Sequence, residues 1–356
     1  MRNKLFFSLA AIPLLIPNLY SCNRRDAYFT YWNECDSLST LKEFVSDVTN
    51  KESKNYIPVE DRLVTFDMDG TLMSETAPIP SEWIFLADYA SKHEEIKNVL
   101  FKIEEEKISS GENETHDVSI GAVVSEIDTY METREKPTKD GEYKIDLGNR
   151  RTQASLAGFK DMTIDNYYLA YTDFLYSHYK ISYEDANYIN TFFLPMIEVM
   201  DYLYVNDFTI CVCSGSEKDN VVPSILNVFS YVKEENILGV GVNHTINERG
   251  EEVRTAILGK PCYAKAKVER IKEKYGDKIP VLSFGNTTGD EYMNDYCLSN
   301  KKYKSKAFMV LPDDREREFG KSDKEVEELR KRWSKYSVIS MKDDFKTIYK
   351  YEVKKK

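Results

Sequence analysis

The sequence predicts an α/β protein with a three-layer α/β/α core around a parallel sheet and an inserted, mostly helical cap. Short apolar, β-favouring runs recur along the chain, and each stops at a polar turn. Helical segments rich in Lys and Glu separate the later runs, the alternation that builds a parallel sheet with helices on both faces. More than a hundred residues, Glu75 to Asp207, lie between the first run and the second. No compact domain leaves such a length structureless.

At the N-terminus, Met1-Arg2-Asn3-Lys4 carries positive charge and Leu5 to Leu15 is nearly all apolar. With Pro13 and Pro17 the run is too short for a membrane span of ~20 residues and fits the apolar region of a secretory signal. Leu19-Tyr20-Ser21-Cys22 is similar to a bacterial lipobox, although Tyr20 is bulkier than the residue favoured there. Residues 1–21 are therefore expected to be a signal peptide and Cys22 the lipidated mature N-terminus, held in the cell envelope by its lipid. The alternative is a plain cleaved signal and a secreted soluble protein. Residues 22–57 read as an N-terminal helical segment, with a helix to about Asn50 and Tyr28, Phe29, Tyr31 and Trp32 ahead of it.

The core is expected over 58–77 and 191–356. Its first strand, Arg62 to Phe66, runs into Asp67-Met68-Asp69-Gly70. Phe208 to Cys213 runs into Ser214-Gly215-Ser216, Ile279 to Phe284 into Gly285-Asn286, and Ala307 to Leu311 into Pro312-Asp313-Asp314. Val338 to Met341 is a fifth strand. Helices are expected over Met196–Tyr204, Asn220–Val232, Lys265–Tyr275 and Asp323–Tyr336. Ligands of such sheets bind beyond the carboxyl ends of the strands, where every one of these polar turns lies. The cap, 78–190, shows helical patterning at Trp83, Ile84, Ala87 and Ala90, and again at Tyr167, Leu169, Tyr171, Phe174 and Tyr176. Residues 111–114 and 137–141 are expected as loops within it.

Composition narrows the function. The 356 residues are 42% hydrophobic and carry a net charge of -11. An acidic chain is a poor partner for nucleic-acid phosphates, whose binding rests on clustered Lys and Arg. Six cysteines in this length do not make a disulfide scaffold. The four histidines, at 93, 116, 178 and 244, are too far apart for a helical zinc pair.

The chemistry points to Phe66-Asp67-Met68-Asp69-Gly70-Thr71-Leu72. Two carboxylates two residues apart at a strand end can face one pocket, while a glycine lets the backbone turn away. Such a pair suits metal-assisted phosphoryl transfer, one acid attacking phosphorus and the other moving a proton. The bland alternative is an acidic turn, since Asp-Gly is common in hairpins.

On these residues the chain resembles the haloacid dehalogenase superfamily, whose first motif has the form D-x-D-x-T. The resemblance implies a Rossmann-like core and assigns the other strand ends. Ser214 matches the second motif, a hydroxyl that holds the transferred phosphoryl group. The third is a lysine near the start of a helix, for which Lys267 leads over Lys265 and Lys260, because Val268, Ile271 and Tyr275 follow it as an inward stripe. Asn286-Thr287-Thr288-Gly289-Asp290 stands at the fourth motif. A cap between the first two motifs is the arrangement of the phosphoserine phosphatase-like branch. The resemblance implies a Mg²⁺-dependent hydrolase of a small phosphomonoester, with Asp67, Asp69, Ser214 and Lys267 catalytic, and Asp67, Asp69, Asn286 and Asp290 around the metal. Gly215, Thr71 and Glu75 are candidates for substrate binding, Glu75 being equally readable as a solvated loop acid. Asn286 departs from the aspartate usual there, so weaker metal binding is expected. A phosphotransferase or mutase, and a degenerate envelope binding protein, are the alternatives. Aromatic residues of the cap read as its core or as a cage for a quaternary amine. Cys211 and Cys213 read as buried strand residues, while Cys35, Cys262 and Cys297 pair or stay free.

Overall fold

The computed structural model describes residues 28–75, 81–177 and 186–350. The expected signal peptide, Cys22, His178 and the expected cap boundary at 78 lie outside the described residues. Residues 28–35 lead into helix α1 (Asp36–Thr49), which buries Leu38, Leu41, Phe44, Val45 and Val48, the spacing of one helix face. The segment is stitched to distant parts of the chain: Trp32 donates from Nε1 to the Pro195 carbonyl, 3.0 Å, and packs edge-on against Phe345.

The first core strand, β1 (Leu63–Phe66), is buried along its whole length. The cap follows with α2 (Ser81–Lys92), the hairpin β2 (Leu100–Glu106) and β3 (Asn113–Ser119), and α3 (Ile120–Thr133). A small pair, β4 (Lys139–Asp140) and β5 (Tyr143–Lys144), precedes α4 (Leu147–Gly158) and α5 (Ile164–Leu175). The chain returns through α6 (Leu194–Val205), β6 (Thr209–Glu217), α7 (Lys218–Val228) and β7 (Ile237–Val240). A further hairpin, β8 (Val242–Ile246) and β9 (Glu252–Leu258), precedes α8 (Lys265–Tyr275). The rest is β10 (Leu282–Gly285), α9 (Glu291–Leu298), β11 (Lys306–Leu311), α10 (Asp323–Arg332) and β12 (Ser337–Ser340).

The central sheet has six strands in the order β12-β11-β10-β1-β6-β7, all parallel. Alternate side chains divide between its faces, as a pleated strand requires. Val64, Phe66, Ile210, Val212, Phe284, Phe308 and Val310 pack with α1, α6 and α7. Leu63, Cys211 and Cys213 pack with Ile271 of α8 and Met293 of α9, while Ala307, Met309 and Leu311 meet Trp333 after α10. This is the three-layer, Rossmann-like α/β/α core. From β1 the chain moves first to β6 and β7 on one side, then back to β10, β11 and β12 on the other. The reversal lies between β1 and β10, and a crevice beyond their carboxyl ends is the expected ligand position.

The cap is mostly helical, as expected, but two of its expected loops need correction: β2 and β3 form a seven-residue antiparallel ladder, so Asn113 and Glu114, expected in a loop, begin a strand, as do Lys139 and Asp140. Only one face of β2 is buried, and Glu residues occupy positions on both faces, which masks the alternation that marks a strand. Leu169 and Tyr176 of the aromatic run are exposed, whereas Tyr167, Tyr171, Phe174 and Tyr188 are fully buried with Phe85 and Phe159. The cap aromatics are its core. The strand β7 and the hairpin β8–β9 have no counterpart in the sequence reading.

Candidate active site

The pocket is built by the ends of β1, β6 and β10 and the first turn of α8. Asp67 follows β1 and extends the parallel pairing by one residue, its N–H donating to the Phe284 carbonyl, 2.9 Å. The chain then folds tightly back: the N–H groups of Thr71, Leu72 and Met73 all donate to the Met68 carbonyl, and that of Gly70 to Met73. Gly70 has φ 77°, and a Cβ there would stand 1.8 Å from Nδ2 of Asn286. Only glycine turns the chain here while Asn286 packs against it.

Lys267 is the hub. Its Nζ donates to Oδ1 of Asp67 at 2.5 Å and to Oδ1 of Asp290 at 2.6 Å, and all three side chains are buried. Of the alternatives, Lys260 is exposed and paired with Glu273, and Lys265 is exposed. The other Asp290 oxygen accepts from the backbone N–H groups of Asn286 and Thr287 and from Oγ1 of Thr287, at 3.1, 3.0 and 2.9 Å. Gly285 is needed beneath it, because a Cβ there would lie 2.3 Å from that of Asp290. Ser214 and Ser216 both donate to Oδ2 of Asp69, at 3.2 and 2.9 Å, and the Ser216 N–H donates to Oγ of Ser214. Thr71 donates to Oδ2 of Asp67, 3.0 Å, and lies 3.3 Å from Oδ1 of Asn286. Glu75 stands exposed at the rim, where its Oε2 accepts from Nδ2 of Asn286 at 3.2 Å. Gly215 is open enough that a Cβ would make ordinary contact with Tyr263.

Burial, then the charge of Asp290, push the Asp67 carboxyl up to about 7, against the pull of Lys267. Burial also raises Asp69 to about 7, and the nearby Glu82 carboxylate adds to it. Burial works to raise Asp290 too, but the Lys267 ammonium and the loop N–H groups outweigh it and hold this carboxyl below the usual range. Two acids of one cluster are thus pushed toward neutrality while a third stays ionised against the lysine.

Some neighbours of the site left no mark in the sequence reading. Ser216 repeats the motif hydroxyl two residues on, a signal that was available in Ser214-Gly215-Ser216. Glu82 of α2 is half-buried and accepts from Arg151 of α4 at 2.9 Å, and Arg151 also reaches Glu217 at 3.4 Å. Nothing in a lone Glu and a lone Arg 69 positions apart marks them as a pair. A cleft of about 370 Å³ opens beside Glu75 and Asn286, lined further by Thr287, Lys321 and Trp333.

The residues present suit a hard divalent cation. Oδ2 of Asp67 and Oδ1 of Asn286 converge on the same Thr71 hydroxyl, giving an all-oxygen donor set of the kind Mg²⁺ takes. Asp290, expected among the ligands, has its oxygens engaged by Lys267 and the loop N–H groups. Among the described residues no three His, Cys, Asp or Glu side chains cluster in metal-holding geometry, so the set rests on Asp67, Asn286 and backbone oxygen.

No family model and no curated protein matches the chain. Solved structures do. A functionally unknown protein from Anaerococcus prevotii aligns over 90% of this chain and 98% of its own, with 13% identity and a TM-score of 0.51. A cytosolic 5'-nucleotidase IIIB bound to cytidine aligns over 88% of both chains, with 11% identity and a TM-score of 0.46. A phosphoserine phosphohydrolase-like protein from Francisella tularensis covers 70% of this chain and 88% of its own, with 15% identity and a TM-score of 0.36. At 13% identity the likeness to the Anaerococcus prevotii protein is one of fold alone, the Rossmann-like α/β/α arrangement described above.

Proposed function

We propose that the chain hydrolyses a small phosphomonoester in two steps, with Asp67 as nucleophile and Asp69 as general acid and base. What supports this most is the pairing of Asp67 with Lys267 and Asp290 while Asp69, two residues on, is held by separate hydroxyls at the same strand ends. The two acids are set up for different work. An Asp67 carboxylate oxygen attacks phosphorus, forming an acyl-phosphate bond as the bond to the departing alcohol breaks. The Asp69 proton passes to that alcohol. Asp69 then takes a proton from water, whose oxygen attacks phosphorus and releases the Asp67 carboxylate. A carboxyl raised to about 7 both holds and yields a proton near neutrality.

Lys267 keeps Asp67 aimed and offsets the charge of the arriving phosphoryl group. Like unit charges ~4 Å apart repel by about 4 kcal/mol at an effective dielectric near 20, so one ammonium shared with Asp290 offsets part of the repulsion from a dianion. Asp67, the Asp69 carbonyl and Asn286 would hold a Mg²⁺, which would supply the remaining charge neutralisation. Ser214 and Ser216 orient Asp69, and each would turn its one hydroxyl proton to a phosphoryl oxygen when substrate binds.

The test is release of phosphate from p-nitrophenyl phosphate with Mg²⁺, followed by a panel of alkyl phosphates. Asp67→Asn is expected to lose at least about a thousandfold in turnover while still binding phosphate. Phosphate release undiminished in that variant, or full activity in excess chelator, contradicts the proposal. Transfer to an added alcohol in preference to water would favour a phosphotransferase, and absence of release across the panel a binding lipoprotein. The envelope anchor rests on residues 1–22 alone. Its test is incorporation of labelled fatty acid that is lost in Cys22→Ser.

A further inference from the structure

Two thiols meet behind the phosphoryl pocket. Cys213 immediately precedes Ser214 on β6, and Cys262 lies three residues ahead of α8, whose first turn carries Lys267. Their sulfurs are 3.5 Å apart and both side chains are fully buried. Sγ of Cys213 also lies 3.9 Å from the Lys267 carbonyl. Neither Cys35 nor Cys297 shares this neighbourhood, and all five described cysteines are thiols. Cys262 is flanked by exposed Pro261 and Tyr263, so it lies one residue beneath the surface. The hydrogen bond between the two sulfurs, with the charges of Lys267 and Arg270, outweighs burial and holds the Cys262 thiol below the usual thiol range, whereas burial pushes Cys213 well above it. Cys262 is the more nucleophilic partner.

We propose that Cys213 and Cys262 are a redox modification site, closing into a reversible disulfide that distorts the phosphoryl pocket. The oxidant is hydrogen peroxide. The Cys262 sulfur attacks a peroxide oxygen, an S–O bond forms as the O–O bond breaks, and water leaves. The Cys213 sulfur then attacks the sulfenic sulfur. The S–S bond forms, the S–O bond breaks, and hydroxide departs as water with the Cys213 proton. Two thiols lose two electrons and the peroxide becomes two waters; a dithiol reverses the bond by exchange.

The geometry couples this bond to the site. A disulfide is ~2.05 Å long, so the sulfurs must approach by about 1.5 Å. In a close-packed interior that movement is transmitted to Ser214 and to the turn carrying Lys267. The connection has little slack: Ala264, between Cys262 and α8, already sits at φ 46° and ψ -126°. A displacement of about 1 Å in a catalytic group can cost on the order of a hundredfold in rate.

The experiment treats the full chain with hydrogen peroxide, maps cross-linked peptides without reductant, and follows p-nitrophenyl phosphate turnover. A Cys213–Cys262 link is expected, with turnover falling at least about tenfold and returning with dithiothreitol. Cys262→Ala and Cys213→Ala, each compared with its own untreated activity, are expected to lack the link and resist the treatment. Absence of the link, a link without loss of turnover, or equal inactivation of both variants overturns the proposal. The effect on turnover rests on the phosphatase reading, but the mapping does not. A chain that links these cysteines yet hydrolyses no ester would fail that reading alone.

Discussion

Lys267 sits between two buried carboxylates, and its removal shows how much the pocket depends on charge balance. Lys267→Met leaves Asp67 and Asp290 facing each other without a cation. Breaking a buried ion pair in this way typically costs about 3–5 kcal/mol, so urea unfolding at pH 8 is expected to show a loss of that size along with lost activity. Asp69 carries the opposite sign. Its folded-state carboxyl is raised to about 7, so burying its charge costs stability above its unfolded value near 3.8, and the full cost is reached above about pH 7. Asp69→Asn is therefore expected to melt higher than the parent at pH 8 in chelator, with the difference vanishing below about pH 4. A lower melting point at pH 8 would contradict a raised Asp69. The same value sets a kinetic limb. Turnover of alkyl phosphates, whose leaving group needs the proton, is expected to fall as pH rises through about 7, while p-nitrophenyl phosphate is less affected.

Helix α2 places Glu82 near Asp69, and α4 answers with Arg151. Glu82→Gln removes a negative charge that raises Asp69. Its loss lowers the Asp69 carboxyl, so the alkaline limb is expected to move to lower pH, as a pH–rate profile would show. The chain of charges continues outward: Arg151 meets Glu217 at the end of β6, Arg254 of β9 meets Glu217 at 3.0 Å and also Asp219, and His244 of β8 meets Asp219 at 3.1 Å. Arg254 is fully buried over the Tyr167 ring, 4.0 Å from its centre, and ties the second hairpin to the cap. Arg254→Met is expected to cost about 3–5 kcal/mol, since Glu217 and Asp219 lose their buried partner. The core strands were legible in the sequence because β1, β10 and β11 are buried on both faces and read as short, mostly apolar runs, with Thr65 and Ser283 the small polar exceptions inside β1 and β10. The hairpins were not, because charge interrupts them. Glu105 of β2 is buried only by virtue of Arg150, 45 residues away, which binds it through two nitrogens at 2.8 and 2.6 Å.

At the scale of the molecule, the insertion itself was visible as length, and its place between Asp69 and Ser214 followed from counting. What the cap presents to the pocket was not visible, because Glu82 and Arg151 acquire their roles only when α2 and α4 pack against the end of β6. The sheet order explains why the motifs work together: β1 lies between β6 and β10, so residues 145 to 215 positions apart share one crevice. The central claim is that this crevice carries phosphorus covalently on Asp67. Rapid acid quenching of the full chain with Mg²⁺ and a radiolabelled phosphomonoester, followed by peptide mapping, tests it most directly. The label is expected on the peptide containing Asp67 and absent from Asp67→Asn. Label on Ser214 or another residue, or turnover without any labelled protein, would contradict it.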